Sequence, residues 1–285
     1  MRERGLAPRT IRYLHAVLRQ ALGDAVAKRA LPSNPTDHAK VPTRAKDAGE
    51  LEAHGNVAAM NEDQAARFLT AARSDRYFAL WAVLLTGGLR PSEALGLQWP
   101  AVDFNEGRVH VSQSLTRIGV KGWKIVQTKS KKGRRVVPLP DVTMRALREW
   151  KRQQAAERLL AGPEYEDHGF VFATPFGRPL DLSNLHGANW RRVMAEAGLG
   201  TWGEPGPKPA RGPARKPRFH PAFRLYDLRH TCATLLLKRG VSPKIVQERL
   251  GHASITLTLD TYSHVLPDMQ ESAAAEMEAL FSAAF

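Results

Sequence analysis

Arg229, His252 and Tyr262 stand within residues 225–264, LYDLRHTCATLLLKRGVSPKIVQERLGHASITLTLDTYSH, in a frame of short helices with clear stop signals. An arginine offers a planar fork to phosphate or carboxylate, an imidazole exchanges protons near neutral pH, and a phenol is a nucleophile once its surroundings favour the anion. Leu228, Cys232, Leu235 and Leu236 follow at i, i+4, i+7 and i+8, which predicts a helix that stops at Gly240. Arg229 is one step off that stripe. A charge at the edge of a core is costly unless an anion meets it, so Arg229 calls for a structural carboxylate or a ligand phosphate. Ser242-Pro243 suits the N-cap and N1 positions of a second helix, which Gly251 ends just before His252. Ser254 can cap a third, on which Ile255, Leu259, Tyr262 and Leu266 share a side, aiming Tyr262 inward toward Arg229 and His252. Any one of these polar residues alone is most often a satisfied structural group, so the functional reading rests on the ordered set.

The set contains three strings: Asp227-Leu228-Arg229-His230-Thr231, Leu250-Gly251-His252-Ala253-Ser254, and Thr258-Leu259-Asp260-Thr261-Tyr262-Ser263-His264. In this order they resemble the tyrosine recombinases, the phage-integrase family. Upstream, Gly88-Leu89-Arg90-x-Ser92-Glu93 followed by Leu95-x-Leu97-x-Trp99 resembles the first arginine motif of that family. Pro91 can open a helix there, which holds Arg90 at a tight turn between two packed helices. In the family a lysine on a β-hairpin enters the active site, and Thr128-Lys129-Ser130 matches its position. One position departs: where the family usually has a histidine three residues before the second arginine, this sequence has Tyr226. At i−3 from Arg229, the Tyr226 phenol is expected on the same helical face, in reach of the phosphate or the nucleophile, but it is no neutral base near pH 7. His230, rotated about 100° around the helix, is expected to be a poor replacement.

The resemblance implies a DNA phosphodiester as substrate and Tyr262 as nucleophile. Only about one phenol in a thousand is ionised at neutral pH, so attack on phosphorus needs a cationic, hydrogen-bonding surround. Arg90 and Arg229 would neutralise the non-bridging oxygens, and His252 would hydrogen-bond the phosphate. Lys129 would give the departing 5′ oxygen its proton, since an ammonium beside two arginines releases one more readily than in water. The product would be a 3′-phosphotyrosine with a free 5′ hydroxyl, reversible by another strand's hydroxyl without ATP, metal or any other cofactor. His230, Cys232, His252 and His264 lack zinc-ligand spacing.

Composition agrees with an anionic partner. The 285 residues carry 42 Lys and Arg against 28 Asp and Glu, a net charge of +14, and nucleic acid is the default partner of such an excess. The single cysteine, Cys232, suits a reducing cytosol. No apolar run approaches the ~20 residues of a membrane span, no basic amphipathic helix has a bulky aromatic face, and MRERGLAPRT lacks a signal segment. The expectation is a cytoplasmic protein, bacterial or phage-encoded.

The elements that must position these groups follow from periodicity. Ile11, Leu14, Leu18, Leu22 and Ala25 predict one helix within 7–30, with Arg9, Arg12 and Arg19 off the stripe as candidate DNA contacts. Asn61 and Gln64 have capping-box spacing. Arg108 to Ser112, Lys124 to Lys129 and Arg135 to Leu139 suggest a three-stranded antiparallel sheet, with Lys131, Lys132, Arg134 and Arg135 at or beside a basic hairpin tip that could meet phosphates. Helices are expected over 142–161 and 184–197. Residues 199–222, rich in Pro, Gly and basic side chains, read as a loop touching phosphates or as a plain disordered insertion. The fold class is mainly α (α+β): a helical catalytic domain with a small sheet over 61–266, behind a partial helical core-binding domain (SAM-like) at 1–42 and a linker at 43–60. Only the last part of that core-binding domain is expected here. Residues 267–285 form a tail helix with Met277, Leu280 and Phe281, of the kind that in the family docks on a neighbouring subunit.

The resulting expectation is a site-specific recombinase that cleaves and rejoins duplex DNA within a synaptic homo-oligomer of four, for integration or excision of a mobile element or prophage, with accessory or directionality factors as further partners. Two alternatives stand beside it: a DNA-binding remnant that has lost catalysis, which the short N-terminal region favours, and a relaxing topoisomerase of the type IB kind.

Overall fold

The structure, a computed structural model, describes residues 6, 8–41, 58–119, 122–128, 133–204, 217–263 and 269–282. The chain divides into two compact units, residues 1–56 and 57–285.

In the first unit α1 (Pro8–Ala27) is the helix that its apolar spacing predicts. A 3-10 turn at Pro35–His38 folds back on it: Asn34 Nδ2 donates to the Arg19 carbonyl at 2.9 Å, and Arg19 pairs with Asp37 at 3.0 Å. Among the described residues of this unit none is buried, as expected of one helix and a turn, which cannot enclose a core. Most of the expected linker, 42–57, lies outside the described residues.

The second unit opens with α2 (Glu62–Ala72), whose Asn61–Gln64 capping box closes with bonds of 2.8 and 2.9 Å. Then comes α3 (Phe78–Gly87), apolar on every side and buried from Ala79 through Leu85. It packs against α2, against α5 (Asp141–Ala161) and against α7 (Asp227–Lys238). The short α4 (Pro91–Leu95) starts at the predicted proline. A helical run over Leu182–Glu196, carrying a π-turn at Leu185–Trp190 and ending in α6 (Arg191–Glu196), fills the region expected from 184 onward. Phe68, Trp81 and Trp190 pack ring to ring, with centroids 5.3 to 6.5 Å apart, at the centre of the main core.

A three-stranded antiparallel sheet is present, but its members differ from the expected set. Its order is β1 (Val102–Asp103), β2 (Arg108–Val111), β5 (Arg135–Pro138), with Val109 opposite Val137. Residues 122–127 (β4, Gly122–Gln127) pair instead with β3 (Gln113–Ile118) in a separate hairpin, Gln113 opposite Gln127. Closing a loop of a few residues costs less chain entropy than a distant pairing. The sequence Gln-Ser-Leu-Thr-Arg-Ile buries only Leu115, so its apolar pattern conceals a strand. A third ladder joins β6 (Gly200–Trp202) to β7 (Phe219–Pro221), at the two ends of the region read as a loop, and 205–216 lie outside the described residues.

The C-terminal helices follow their caps. Ser242 caps α8 (Pro243–Leu250), left-handed Gly251 ends it, and Ser254 caps α9 (Ile255–Tyr262). The buried side of α9 is Thr258 and Tyr262, whereas Ile255 and Leu259 are exposed; Leu266 lies outside the described residues. Tyr262 joins Ala233, Leu237, Val246 and Leu250 in a small cluster of its own between α7 and α8. A last helix, α10 (Met269–Phe281), exposes Met277, Leu280 and Phe281. Among the described residues no helix is long and apolar enough to cross a membrane.

Candidate active site

Arg229 is the charge around which the site is built. It is 1% exposed, inside α7 rather than at the edge of a stripe. Its Nη1 donates to the Gly88 carbonyl and its Nη2 to the Leu250 carbonyl, both at 2.7 Å. These carbonyls sit at the C-terminal ends of α3 and α8, where orphan acceptors carry the negative end of the helix dipole. Gly88 takes φ +64°, and a Cβ there would sit 2.9 Å from a Leu250 methyl, so only glycine lets the two helix ends approach this closely. Among the described residues no carboxylate forms an ion pair with Arg229. Burial, with Arg90 nearby, lowers its pKa to about 10, and it remains a cation at neutral pH. A buried cation held by carbonyl dipoles rather than by an ion pair is suited to meet an anion.

Arg90 caps α4 from the other side. Its backbone N–H donates to Glu93 Oε2 at 2.9 Å and its Nη1 to Glu93 Oε1 at 2.7 Å, which leaves its guanidinium one-third exposed. Glu93 is itself buried and receives Arg135 as well, with Nη1 and Nη2 at 3.1 and 2.8 Å. Burial pushes the Glu93 carboxyl up, and the bonds and charge of Arg135 and Arg90 more than offset it, leaving the carboxylate below its ordinary range. Arg135 Nε reaches the Arg249 carbonyl at 2.6 Å. Arg135, read as a phosphate contact beside the hairpin tip, is therefore turned inward with a 6% exposed side chain. Strand alternation carries the signal: Arg135 shares a face with buried Val137, while Val136 points out.

The imidazoles are placed differently from expectation. His230 Nδ1 lies 2.8 Å from the Tyr262 hydroxyl, so the residue judged a poor replacement is the one in contact with the phenol. Tyr226 makes no such bond; 39% exposed at the N-cap of α7, it meets the His230 ring edge-on at 5.3 Å. The contact follows from the side of α7 that α9 crosses. A rotation of 100° from Arg229 points away from the phosphate, but Tyr262 approaches α7 over the face shared by Tyr226 and His230, one helical turn apart. His252 is buried, and its Nδ1 bonds the Thr258 hydroxyl at 2.9 Å. Both imidazoles are held near pKa 4: His252 by burial and the charges of Arg229, Arg90, His230 and Arg135, and His230 by burial, with Asp227 opposed by Arg229 and Arg224. Tyr262 is fully buried, and loss of solvation raises its hydroxyl pKa well above the ordinary value although Arg229 pulls it down.

An open cleft of about 760 Å³ is lined by Arg90, Tyr226, His186, Arg191, Arg218 and Arg224. Arg224 is tied to buried Asp227 at 2.9 Å, and the other basic groups give the cleft its sign. Lys129, Lys131 and Lys132 lie outside the described residues, as does the side chain of Arg9. Arg134 is exposed and Arg12 half-buried. Arg19 pairs with Asp37, and both side chains are exposed. Among the described residues no group of three or more His, Cys, Asp or Glu is placed to hold a metal ion.

Known proteins resemble this chain in sequence and fold. Residues 58–269 match the phage integrase family. The tyrosine recombinase XerC-like protein of Caldanaerobacter subterraneus subsp. tengcongensis is 29% identical over 98% of this chain and 68% of its own length. An integrase of Saccharopolyspora erythraea is 25% identical over 99% of this chain and 69% of its own length. Among solved structures, the Tn1549 transposon integrase in complex with circular intermediate DNA superposes with a TM-score of 0.66, at 25% identity, over 98% of this chain and 82% of that one.

Proposed function

For a chain that belongs to the phage integrase family, we propose site-specific DNA recombination through a covalent 3′-phosphotyrosine at Tyr262. The observation that carries this reading is Arg229: a buried guanidinium bonded to two carbonyls, with no carboxylate ion pair among the described residues, whose charge pulls down the Tyr262 hydroxyl pKa. A scissile phosphate supplies the missing negative charge. Arg90 grips a second non-bridging oxygen with the part of its guanidinium that Glu93 leaves exposed, and His252 donates to the same group. Arg135 positions Arg90 by fixing Glu93. Lys129, which the family resemblance puts at the departing 5′ oxygen, supplies the leaving-group proton.

The relatives support duplex DNA as substrate, since the Tn1549 integrase holds circular intermediate DNA, and transposon and integrase relatives point to movement of a mobile element. No step in this chemistry draws on a metal or on ATP, because the phosphotyrosine retains the energy of the broken bond. Residues 61–266 act as the catalytic domain and 1–42 as part of a DNA clamp. Four subunits assemble on two duplexes, with α10 bridging neighbours. The test uses the full chain and a pool of duplexes randomised around a nick, from which the cleaved fragment diffuses away. A denaturant-stable protein–DNA adduct, abolished by Tyr262→Phe, is expected. Retention that salt alone reverses would mark a binding remnant, and supercoil relaxation by monomer without strand exchange would mark a topoisomerase.

A further inference from the structure

We propose that His230 accepts the phenolic proton of Tyr262 as the hydroxyl attacks phosphorus, taking over the part of the histidine that this chain lacks at position 226. The inference rests on the phosphotyrosine reading above and assigns a residue to a step that the reading leaves open.

The geometry isolates one acceptor. His230 Nδ1 is 2.8 Å from the Tyr262 oxygen, within the range for proton transfer, and the rings tilt at 60° with centroids 5.8 Å apart. The other two candidates are engaged or unsuited. His252 commits Nδ1 to the Thr258 hydroxyl, and Tyr226 offers a phenol, which is no base at neutral pH. Tyr226 instead braces the His230 ring from its far side. The Tyr262 ring is packed among Ala233, Leu237, Val246 and Leu250, an apolar setting in which a free phenolate does not persist. The proton must therefore leave while the phosphorus–oxygen bond forms, and an acceptor already in contact makes that possible.

The imidazole is in the right state. Burial and the neighbouring Arg229 and Arg224 outweigh Asp227 and keep it neutral through the physiological range. With its proton on Nε2 it presents a lone pair at Nδ1. As the Tyr262 oxygen bonds to phosphorus it changes from a phenol oxygen to an ester oxygen, so its hold on the proton collapses, and the incoming phosphodiester anion raises the basicity of the imidazole. The step balances. The Tyr262 oxygen–phosphorus bond forms, the phosphorus–O5′ bond breaks, the phenolic proton passes to His230, and O5′ takes a proton from the separate acid. In rejoining, His230 returns its proton to Tyr262.

Single-turnover cleavage of the duplex selected above tests this, with His230→Ala and His230→Gln. Glutamine preserves hydrogen bonding and bulk but takes up no proton. Both variants are expected to retain duplex binding and to cleave about 10²-fold more slowly or worse. The same duplex with sulfur in place of the bridging O5′ needs no leaving-group proton. It is expected to restore Lys129→Ala but to leave the His230 defect in place. Should the alanine variant fail to fold, the glutamine variant carries the test through the ratio of oxygen to sulfur rates. Wild-type adduct with unchanged rates in the His230 variants, or a defect erased by sulfur, overturns this inference alone. No adduct from the wild-type chain overturns it together with the recombinase reading.

Discussion

Arg229 on α7 and Arg135 on β5 are both guanidiniums almost closed off from solvent, and they differ in what they meet. Arg135 meets a buried carboxylate through two hydrogen bonds, so its charge is closed off inside the protein. Among the described residues Arg229 hydrogen-bonds the carbonyl ends of two helices and forms no ion pair, which on the proposed reading leaves its charge for the phosphate. A buried arginine with a carboxylate is thus scaffold, and one without is a socket. On the proposed reading the contrast separates stability, carried by the contacts Arg135–Glu93–Arg90, from catalysis at Arg229.

The largest effect expected from breaking this contrast is on the scaffold side. Glu93→Ala strands Arg135 and should lower unfolding free energy by about 3 to 5 kcal/mol, read by urea denaturation. A loss under about 1 kcal/mol would show that the pair is not what holds β5 to α4. On the socket side the effect moves to the reaction. Arg229→Met should slow single-turnover cleavage about 10² to 10³-fold. It should cost less stability than Glu93→Ala, because the loss of two carbonyl bonds is partly offset by removing an unmatched charge. Equal damage to stability from both variants would erase the distinction.

A smaller effect concerns pH. His230 and His252 are held near pKa 4 when folded, below the ~6.5 of an unfolded chain, so the unfolded state binds more protons between those values. Their contribution to stability is whole above about pH 6.5 and is lost as pH falls toward 4, with a slope of at most about 1.4 kcal/mol per pH unit for each. Replacing either by glutamine should flatten the melting-temperature profile in that window, and an unchanged slope in both variants would contradict their burial as neutral groups. Smallest of all, Tyr226→His should hold cleavage within a few-fold of wild type or raise it, since the position braces His230 without touching Tyr262. A large loss of rate would show that the phenol has a part of its own.

Much of this was legible in the residues. Gly88, Pro91, Ser242, Gly251 and Ser254 fix where helices stop and start, because caps are local chemistry, and Arg229 announced itself as a charge in need of an anion. What escaped, including the full burial of Arg229 and its two carbonyl partners, was set by packing between distant segments. The inward turn of Arg135 depends on the carboxylate of Glu93, which is far away in sequence. The contact of His230 with Tyr262 depends on the side of α7 that α9 crosses. The buried face of α9 runs through Thr258 because His252 is waiting for its hydroxyl, and apolar periodicity alone favours Ile255 and Leu259. Strand β3 was hidden because a mostly polar ribbon is specified by its partner and its turn rather than by burial.

The central claim is that Tyr262 attacks a phosphate seated on Arg229 and Arg90. Mass spectrometry of the peptide carrying the trapped DNA fragment tests it most directly. A nucleotide 3′-phosphate on Tyr262, with the adduct lost in Tyr262→Phe and in Arg229→Met, is the predicted result. An adduct on any other side chain, or one that survives Tyr262→Phe, would contradict the account.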